Sequence, residues 1–552
     1  MFVRVKRSPN SPKKAVQIVK SVRNGNKVSQ KIVRHVGTAL NDDELDKLKE
    51  LAEYIKAKLE AETNPSLFTP EVIAEMVIEA RKTKQNKDEE LNVNLKNLRE
   101  ESRIVVGVHE VYGSIYRDLG FDKVINNPKR NVGANKNLFN MVMARIANPA
   151  SKRSSVIGLE KDFGIKLSLE GVYKMMDKID ASVIEKIELR SYENAQKILQ
   201  EEIKVAFYDC TTLYFESFTE DELKQNGFSK DMKFNQPQVL LGLISTSQGL
   251  PIGYDVFVGS QYEGATLEDA IKKLKEKYKV KKVIVVADSG LLNKKNQAYL
   301  ESKELEYILG ARIKNMPKKI EEKILDKSKY QNGDEGERLL EISLGEDKRL
   351  ILSYSRKRAE KDKYDRQKAV KKLKEKISKS KNPASLISNY GYKKYLKIEG
   401  ETRVELDKAK LAKSAAWDGL HGIITNKKDL SAKEVIDYYR QLWQIEENFR
   451  ISKHDLKIRP IYHREPRRVK AHIAISYMAL VCVRHLEYRV KTQYKKLSPE
   501  VIKNELLHAQ CSILKDLTTN KRYCIPSKTT KELKKIYQTV GKKIDSIPFE
   551  IK

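Results

Sequence analysis

The sequence predicts an α/β protein in which a mixed β-sheet with helices follows a mainly helical region. Two observations lead to this fold class. After residue 203, segments rich in apolar and β-branched residues first follow one another and then alternate with helical patterns. Residues 100–200 instead read as a series of helices. With 552 residues, 40% of them hydrophobic, the chain can form about three or four domains with apolar cores.

The charge balance points to a polyanionic partner. Lys and Arg number 108 against 76 Asp and Glu, which gives a formal net charge of +32. A surplus spread along the chain is typical of proteins that bind nucleic acid. Solvated surfaces in a lysine-rich proteome explain the same surplus equally well, so charge alone does not decide between the two.

Several classes of protein are excluded by what the sequence lacks. The N-terminus has no apolar segment of a secretory signal, and the longest apolar run, residues 473–483, is too short to cross a bilayer. No phosphate-binding glycine loop is present. The cysteines are scattered, which argues against a zinc finger or disulfide scaffold and fits a reducing cytoplasm. They are Cys210, Cys482, Cys511 and Cys524.

Residues 1–82 are predicted to form a β-hairpin followed by a helix. Alternating apolar residues flank Asn24-Gly25, a strong hairpin signal. Asn41 with Glu44 three residues later is typical of a capping box at a helix start. The polar residues 83–99 are predicted to be a linker.

Residues 100–200 are predicted to form a helical domain. The helical pattern of Leu138–Ile146 ends at Asn148-Pro149, and Ser168 is a candidate N-cap for a later helix. Lysines and arginines on these short helices allow a DNA-binding domain similar to a helix-turn-helix. An ordinary helical domain with solvated lysines fits this segment as well.

The predicted catalytic core occupies residues 201–311 and 421–490. Its elements follow the order β-β-β-α-β-α-β, which is the ribonuclease-H-like order with a mixed five-stranded sheet. The strands are predicted at Ile203–Phe215, Gln238–Thr246, Leu250–Val258, Val280–Ala287 and Tyr307–Ala311.

A β-rich insertion is predicted at residues 312–420, and a helical tail at residues 491–552. The insertion contains a very basic helical run, Arg356–Lys381. The usual interpretation of such a run is a solvated helix, with contacts to DNA phosphates as the alternative.

Two carboxylates lie in predicted core strands. Asp209 is inside the first strand, where a carboxylate is costly unless it is paired or bound to metal. Asp288 follows the fourth strand directly, at the edge where ligands bind in open α/β sheets. Taken alone, Asp288 is better explained as the N-cap of a following helix.

A third acid, Glu446, strengthens the case for a metal site. It belongs to a set of residues at steps of four and three, which predicts one face of one helix and an inward-pointing Glu446. The set is Val435, Tyr439, Leu442, Glu446, Phe449 and Lys453. Three inward carboxylates suit two divalent ions, Mg²⁺ or Mn²⁺.

The segment Tyr439–Lys453 resembles the signature helix of IS4-superfamily DDE transposases, which is Tyr, two residues, Arg, three residues, Glu, six residues, Lys. Tyr439, Glu446 and Lys453 match this spacing, whereas Leu442 stands at the Arg position. Arg440 two residues earlier resembles the variant of the IS1634 group. VAFYDCTTLYFES around Asp209, VVADSGLLN around Asp288, the N-terminal hairpin and the YHR at 462–464 are also similar to that group.

The resemblance implies a DNA transposase of a bacterial insertion sequence, acting by cut-and-paste either directly or through hairpin ends. Asp209, Asp288 and Glu446 are then the catalytic residues and the ligands of two Mg²⁺ or Mn²⁺ ions. The implied partners are double-stranded DNA carrying the element's terminal inverted repeats, target DNA and a second copy of the chain on DNA. The implied location is the bacterial cytoplasm at the nucleoid, with no membrane partner.

Basic residues near Glu446 are the predicted DNA contacts. Lysine and arginine side chains at such positions bind phosphates and so position the strand without reading its sequence. The candidates are Tyr439, Arg440, Arg450, Lys453, Lys457, Arg459 and Arg464. His463 is either a phosphate or metal contact or an ordinary surface histidine. Trp417 is either a base-stacking residue or part of the insertion's own core.

Three alternatives remain at the level of sequence. The first is a ribonuclease-H-like nuclease that cuts DNA and does not join strands. The second is a catalytically inactive DNA-binding relic of a mobile element. The third, a basic nucleic-acid-packaging protein, leaves the three carboxylates unexplained.

Overall fold

The chain divides into two compact units in the computed structural model. One consists of Met1–Glu201 with Arg450–Lys552, and the other of Glu202–Phe449. The finer division predicted from sequence stays a prediction. The structure describes residues 1–7, 14–24, 27–39, 42–63, 93–216, 218–229, 235–280, 283–333, 337–379, 395–399, 403–544 and 546–551.

The described strands and helices are numbered separately in chain order. The strands are β1 (Phe2–Arg7), β2 (Lys14–Asn24), β3 (Lys27–Ala39), β4 (Leu98–Val105), β5 (Val205–Tyr214), β6 (Gln238–Thr246), β7 (Pro251–Val258), β8 (Ile284–Ala287), β9 (Glu306–Gly310), β10 (Gln331–Asn332), β11 (Glu337–Ser343), β12 (Arg349–Ser355), β13 (Leu396–Glu399), β14 (Arg403–Leu406), β15 (Leu420–Thr425), β16 (Gln510–Asp516), β17 (Arg522–Pro526) and β18 (Phe549–Ile551). The helices are α1 (Asp42–Thr63), α2 (Gly107–Asp118), α3 (Val132–Ala147), α4 (Lys152–Phe163), α5 (Leu169–Met176), α6 (Ala181–Leu199), α7 (Leu267–Lys272), α8 (Lys294–Ser302), α9 (Lys318–Leu325), α10 (Arg356–Lys379), α11 (Lys408–Ala416), α12 (Ala432–Arg440), α13 (Trp443–Arg450), α14 (Pro466–Gln493), α15 (Pro499–His508) and α16 (Lys531–Gln538).

A large mixed sheet forms the centre of the unit Glu202–Phe449. Its strand order is β10-β11-β12-β15-β9-β8-β5-β6-β7. Strands β5, β8 and β9 run parallel, whereas β6 pairs antiparallel with β5 and β7 pairs antiparallel with β6. The predicted five core strands are therefore present in the predicted order. The sheet is larger than predicted, because four strands from residues 312–425 extend it beyond β9.

The rest of the predicted insertion contains the two-stranded sheet β13-β14 and the basic helix α10. A bidentate pair between Arg366 and Asp418 ties α10 to the segment before β15, with one N–O distance of 2.6 Å. Trp417 is only 5% exposed. Its burial agrees with the alternative in which Trp417 packs in the protein interior.

The predicted N-terminal hairpin is confirmed. Strands β2 and β3 pair antiparallel, with Asn24 opposite Lys27. One face of the sheet packs on α1 through an apolar cluster that includes Val16, Ile18 and Ala52. Residues 25–26, Asn41 and 64–92, which include most of the predicted linker, lie outside the described residues.

Helix α14 is the central buried element of the other unit. By length and composition, this helix could cross a membrane. However, 94% of its most apolar 18-residue segment is buried inside the protein. It contacts helices α2, α3 and α6 around it. This burial is the pattern of a core helix of a folded domain.

Three predictions for this unit are corrected. Residues 98–105 are a strand, not part of a helical domain, and β4 pairs with β16. The tail beyond residue 491 is not purely helical, since it supplies β16, β17 and β18. The pairing joins segments about 400 residues apart, which local patterns cannot reveal. Cys511 and Cys524, on adjacent strands, form a disulfide that the scattered cysteine spacing did not predict.

Candidate active site

Asp209, Asp288 and Glu446 line one cavity of about 460 Å³ in the unit Glu202–Phe449. The three acids come from different elements: β5, the end of β8 and α13. The sheet register explains why the first two meet there. Tyr208 pairs with Ala287 on the parallel strands β5 and β8, so each aspartate comes one residue after this pair.

Asp209 interrupts an otherwise buried strand. Its neighbours Tyr208 and Cys210 are 2% and 1% exposed, whereas Asp209 is half-buried. Its Oδ1 accepts a 2.8 Å hydrogen bond from the amide of Cys210. A carboxylate at this position is tolerated because it opens onto a polar cavity instead of the apolar interior.

Asp288 is exposed at the carboxyl end of β8. Its Oδ1 accepts hydrogen bonds from the Ser289 amide (2.6 Å) and the Tyr439 hydroxyl (3.0 Å). The following helix α8 is capped by Asn293, whose side chain accepts a 2.7 Å bond from the Asn296 amide. The N-cap interpretation of Asp288 is therefore wrong.

Tyr439 on α12 lies close enough to Asp288 and Glu446 for their charges to affect its pKa. Burial raises the pKa of the Tyr439 phenol well above its usual value, and the negative charges of Asp288 and Glu446 raise it further. The phenol therefore stays protonated and acts as a hydrogen-bond donor toward Asp288.

The structure corrects the prediction that one helix carries the signature residues. Helix α12 ends at Arg440, α13 begins at Trp443, and a π-helical turn follows at Ile451–Asp455. The amides of Gln441 and Leu442 bond to carbonyls three residues earlier, which tightens the chain at the break.

This break changes the environment of Glu446. Val435, Leu442 and Phe449 are buried as predicted, with at most 8% exposure. Glu446 itself is exposed and lines the cavity, so the prediction that it points into the apolar core is wrong. Its carboxylate is accessible to a ligand without a large desolvation penalty.

Four carboxylates line the cavity, namely those of Asp209, Asp288, Glu446 and Glu337, and that of Glu337 is paired with Arg440. The donor chemistry of the other three suits a hard divalent cation. Within the described residues, however, no group of three His, Cys, Asp or Glu side chains is close enough together to hold a metal ion. Joint coordination by Asp209, Asp288 and Glu446 therefore requires side-chain movement, for which the exposed Glu446 and Asp288 are suited.

A basic residue of the predicted insertion and a histidine at the start of the second core segment also line the cavity, and neither was identified from sequence. Arg358 comes from α10, and His421 from β15. Burial, reinforced by Arg358, lowers the pKa of His421 to about 4, so its imidazole is neutral at pH 7. The His421 ring centre lies 5.0 Å from that of Tyr439. No local motif marks these residues, since only the extension of the sheet brings them here.

The predicted DNA contacts divide between the two units. Tyr439 and Arg440 line the cavity, and Arg440 forms ion pairs with Glu337 and, at 3.6 Å, with Asp437. The remaining candidates belong to the unit that includes Arg450–Lys552. They are Arg450, which pairs with Asp455 at 3.3 Å, and Lys453, Lys457, Arg459 and Arg464.

Residues 209–482 match the family model described as the transposase DDE domain. The match supports a DDE transposase. It begins at Asp209 and includes Asp288 and Glu446, so all three candidate acids lie within the matched segment. The IS4 and IS1634 assignments are finer than this match and stay predictions. No curated protein matches the chain.

Solved structures of Mos1 transposase complexes have a distant likeness to the chain. The Mos1 transposase paired-end complex with left transposon end is 11% identical, with a TM-score of 0.15, over 45% of this chain and 70% of that one. The Mos1 mariner paired-end complex with Mn is 10% identical, with a TM-score of 0.14, over 48% and 77% of the two chains. At these scores the likeness does not bear on the detailed fold.

Proposed function

We propose that this chain is a DDE transposase of an insertion sequence of the IS4 superfamily, IS1634-like group, and that it moves the element by cut-and-paste. The observation that carries the proposal is the shared cavity of Asp209, Asp288 and Glu446 within the matched segment. The strand order β7-β6-β5-β8-β9 supports a ribonuclease-H-like core, with Asp209 on β5 and Asp288 directly after β8 on neighbouring parallel strands.

The three acids are proposed to hold two divalent ions, Mg²⁺ or Mn²⁺. When bound, such ions lower the pKa of a water and neutralise charge on the reacting phosphate. The chain contributes orientation and charge. Tyr439 fixes the Asp288 carboxylate through its hydroxyl, while Arg358 and Arg440 place cations on the cavity wall, where a DNA phosphate can bind.

The proposed reaction has two steps at the same cavity. In the first, water attacks a phosphodiester at the transposon end, the P–O3′ bond breaks, and a 3′-OH and a 5′-phosphate result. In the second, this 3′-OH attacks a phosphodiester of the opposite strand, which gives a hairpin end, or of target DNA, and displaces another 3′-oxygen. Each step exchanges one P–O bond for another, so no covalent intermediate with the protein is required.

The proposed partners are double-stranded DNA with the element's terminal inverted repeats, target DNA and a second copy of the chain on DNA. We place this activity at the nucleoid in the bacterial cytoplasm. Residues Tyr439, Arg440, Arg450, Lys453, Lys457, Arg459 and Arg464 are the proposed phosphate contacts.

The test is a cleavage and strand-transfer assay with linear DNA that carries the element's own ends, in Mg²⁺ or Mn²⁺. Wild type is compared with Glu446→Gln and with Glu447→Gln, which makes the same change on the same helix outside the cavity lining. End-specific cleavage and joining that are lost only in Glu446→Gln support the proposal.

Other outcomes identify the alternatives. Cleavage without joined products indicates a nuclease that lacks strand transfer. Specific binding of the ends without cleavage by wild type indicates an inactive relic. Equal activity of wild type and Glu446→Gln removes Glu446 from the site and contradicts the three-acid proposal.

A further inference from the structure

A second cavity, of about 300 Å³, lies in the unit that contains Met1–Glu201 and Arg450–Lys552. Its buried floor includes Arg145, Lys152 and His472, which are each 4–5% exposed. Exposed residues such as Arg153 and Lys457 form its mouth. We call this space the basic cavity.

Lys152 is a buried cation whose described hydrogen-bond partner is uncharged. Its Nζ lies 3.3 Å from Nδ1 of His472. His472 Nε2 donates a 2.9 Å bond to the Ile458 carbonyl, so Nδ1 is the unprotonated nitrogen and accepts from Lys152. Burial, reinforced by Arg145, lowers the pKa of Lys152 well below its usual value. No negative charge offsets the burial of this ammonium among the described lining residues.

Arg145 is likewise a buried cation whose described hydrogen-bond partners are uncharged. Its guanidinium donates to the carbonyls of Lys457 (3.2 Å) and Leu456 (3.4 Å), both of which are neutral. Together with the bond from His472 to Ile458, these contacts hold the backbone of residues 456–458, from which Lys457 lines the cavity. The cationic groups of Arg145 and Lys152 are therefore held in place by hydrogen bonds, unlike those of lysines on an open surface.

Two other arginines of this unit have carboxylate partners, in contrast to Arg145. Arg489 is also 4% exposed, and it pairs with Asp118 at 2.8 Å. Arg468 forms a bidentate pair with Asp177, with both distances 2.8 Å. Among the described residues that line the basic cavity, none is Asp or Glu. Because buried cations are normally paired, this set fits a negatively charged ligand.

The N-terminus of α4 adds backbone donors to the same place. Ser151 is the N-cap, and its side chain accepts a 3.1 Å bond from the Ser154 amide. The amides of Lys152 and Arg153 lie in the first turn, where a helix offers no internal acceptors. Such a turn favours phosphate, and here it coincides with two buried cationic side chains.

We propose that the basic cavity binds a backbone phosphate of the DNA substrate, with Arg145, Lys152 and Lys457 as its main ligands. This proposal rests on the proposed function only in taking DNA as the source of the phosphate. Tyr462, which is 68% exposed at the mouth, offers a ring for the neighbouring base. The cavity thus holds a DNA strand at a point that belongs to a different unit from the three acids.

The first experiment measures DNA binding by Lys152→Met as a function of salt, with a fluorescently labelled duplex and without divalent metal. Each phosphate contact contributes a slope of about −0.9 to the dependence of log affinity on log salt. We expect a slope shallower by about 0.9 and an affinity about tenfold lower at low salt. Lys161→Met, an exposed change on the same helix, is the control and should keep the wild-type slope.

Thermal unfolding of the same variant separates a ligand site from a structural lysine. Since methionine removes a buried unpaired charge and retains much of the volume, Lys152→Met should melt at or above the wild-type temperature. A lower melting temperature with unchanged binding by the folded protein would mean that Lys152 is structural and would overturn the proposal.

A second variant, Lys457→Gln, keeps the question decidable if Lys152→Met does not fold. Lys457 is exposed, so its loss should not disturb the core, and it should also make the slope shallower by about 0.9. Unchanged slopes in the folded variants contradict the proposal. If inorganic phosphate stabilises wild type but not the variants while DNA binding is equal in all, the ligand is a free anion. Because this assay contains no metal and measures no cleavage, its failure is independent of the proposed catalytic activity.

Discussion

The hydroxyl of Tyr439 donates a 3.0 Å hydrogen bond to Oδ1 of Asp288, across 151 residues of sequence. Asp288 follows β8 and Tyr439 lies on α12, so the bond joins the sheet edge to the helix that precedes Glu446. A partner that orients a metal-binding carboxylate typically matters to activity almost as much as the carboxylate itself. The bond makes Tyr439 a positioning residue for the proposed reaction.

Tyr439→Phe should lower cleavage by about 10- to 100-fold because Asp288 loses its orienting donor. The protein should remain folded, since one such hydrogen bond contributes only about 1 kcal/mol to stability. The loss should be greatest at low Mg²⁺ or Mn²⁺ and smaller at saturating metal, which a titration of cleavage rate against metal concentration measures. Tyr438→Phe, one residue away and outside the cavity lining, is the matched control. Equal effects of the two variants would show that the hydroxyl contact is unimportant.

Gly310 at the end of β9 has no Cβ and so leaves space for the Tyr439 hydroxyl beside Asp288. A Cβ at residue 310 would overlap the Tyr439 hydroxyl and lie 2.9 Å from the Ser289 amide nitrogen. Gly310→Ala should therefore displace Tyr439 and reduce cleavage, while removal of the hydroxyl in Tyr439→Phe relieves part of the overlap. In a double-mutant cycle of cleavage rates, the double variant should lose less than the product of the two single losses. Fully multiplicative losses would exclude a shared cause.

Arg358 should affect the cavity through charge. It lowers the pKa of His421 and lies on the cavity wall beside the acids. Arg358→Gln should raise the pKa of His421 from about 4 and weaken DNA binding at the cavity. Nuclear magnetic resonance titration of labelled histidine measures the first effect, and KM for the DNA substrate the second. Arg356→Gln on the same helix, outside the lining, is the control. An unchanged His421 titration would show that Arg358 does not act on this site.

The core strands could be predicted because each one is marked by its own local run of apolar residues. The strands β5 to β9 carry runs of apolar residues that need burial, and their succession along the chain can be read directly from those runs. Asp209 and Asp288 were identified because a carboxylate stands out in such runs. The break before the helix of Glu446 was not predicted. The tightened turn at Gln441–Leu442 leaves the four-and-three spacing of apolar residues intact, so the spacing does not reveal the break.

Features that depend on distant pairing could not be predicted. His421 and Arg358 reach the cavity because β12 and β15 extend the sheet from β9. The spacing of apolar residues along the chain does not indicate which strands will pair. The strand β4 depends in the same way on β16, and its residues are mostly exposed and charged. The basic cavity joins Lys152 to His472, 320 residues later, through a contact between two helices that each look ordinary in sequence.

Buried histidines should make the protein sensitive to acid. Burial, reinforced by Arg489, lowers the pKa of His485 to about 3, and its Nε2 has no hydrogen-bond partner among the described residues. An unfolded histidine titrates near pH 6.5. The unfolded state therefore binds a proton that the folded state does not, and the associated stability is lost as pH falls from about 6.5 toward 3. His109 and His463, whose pKa values burial lowers to about 4, should act in the same direction.

His485→Met should flatten this dependence, because it removes one proton taken up on unfolding. Denaturant unfolding at several pH values should show a slope of free energy against pH smaller by up to about 1.4 kcal/mol per pH unit below pH 6. The same change at the exposed His508 is the control. An unaltered slope in His485→Met would mean that His485 does not take up a proton on unfolding, which contradicts the lowering of its pKa by burial.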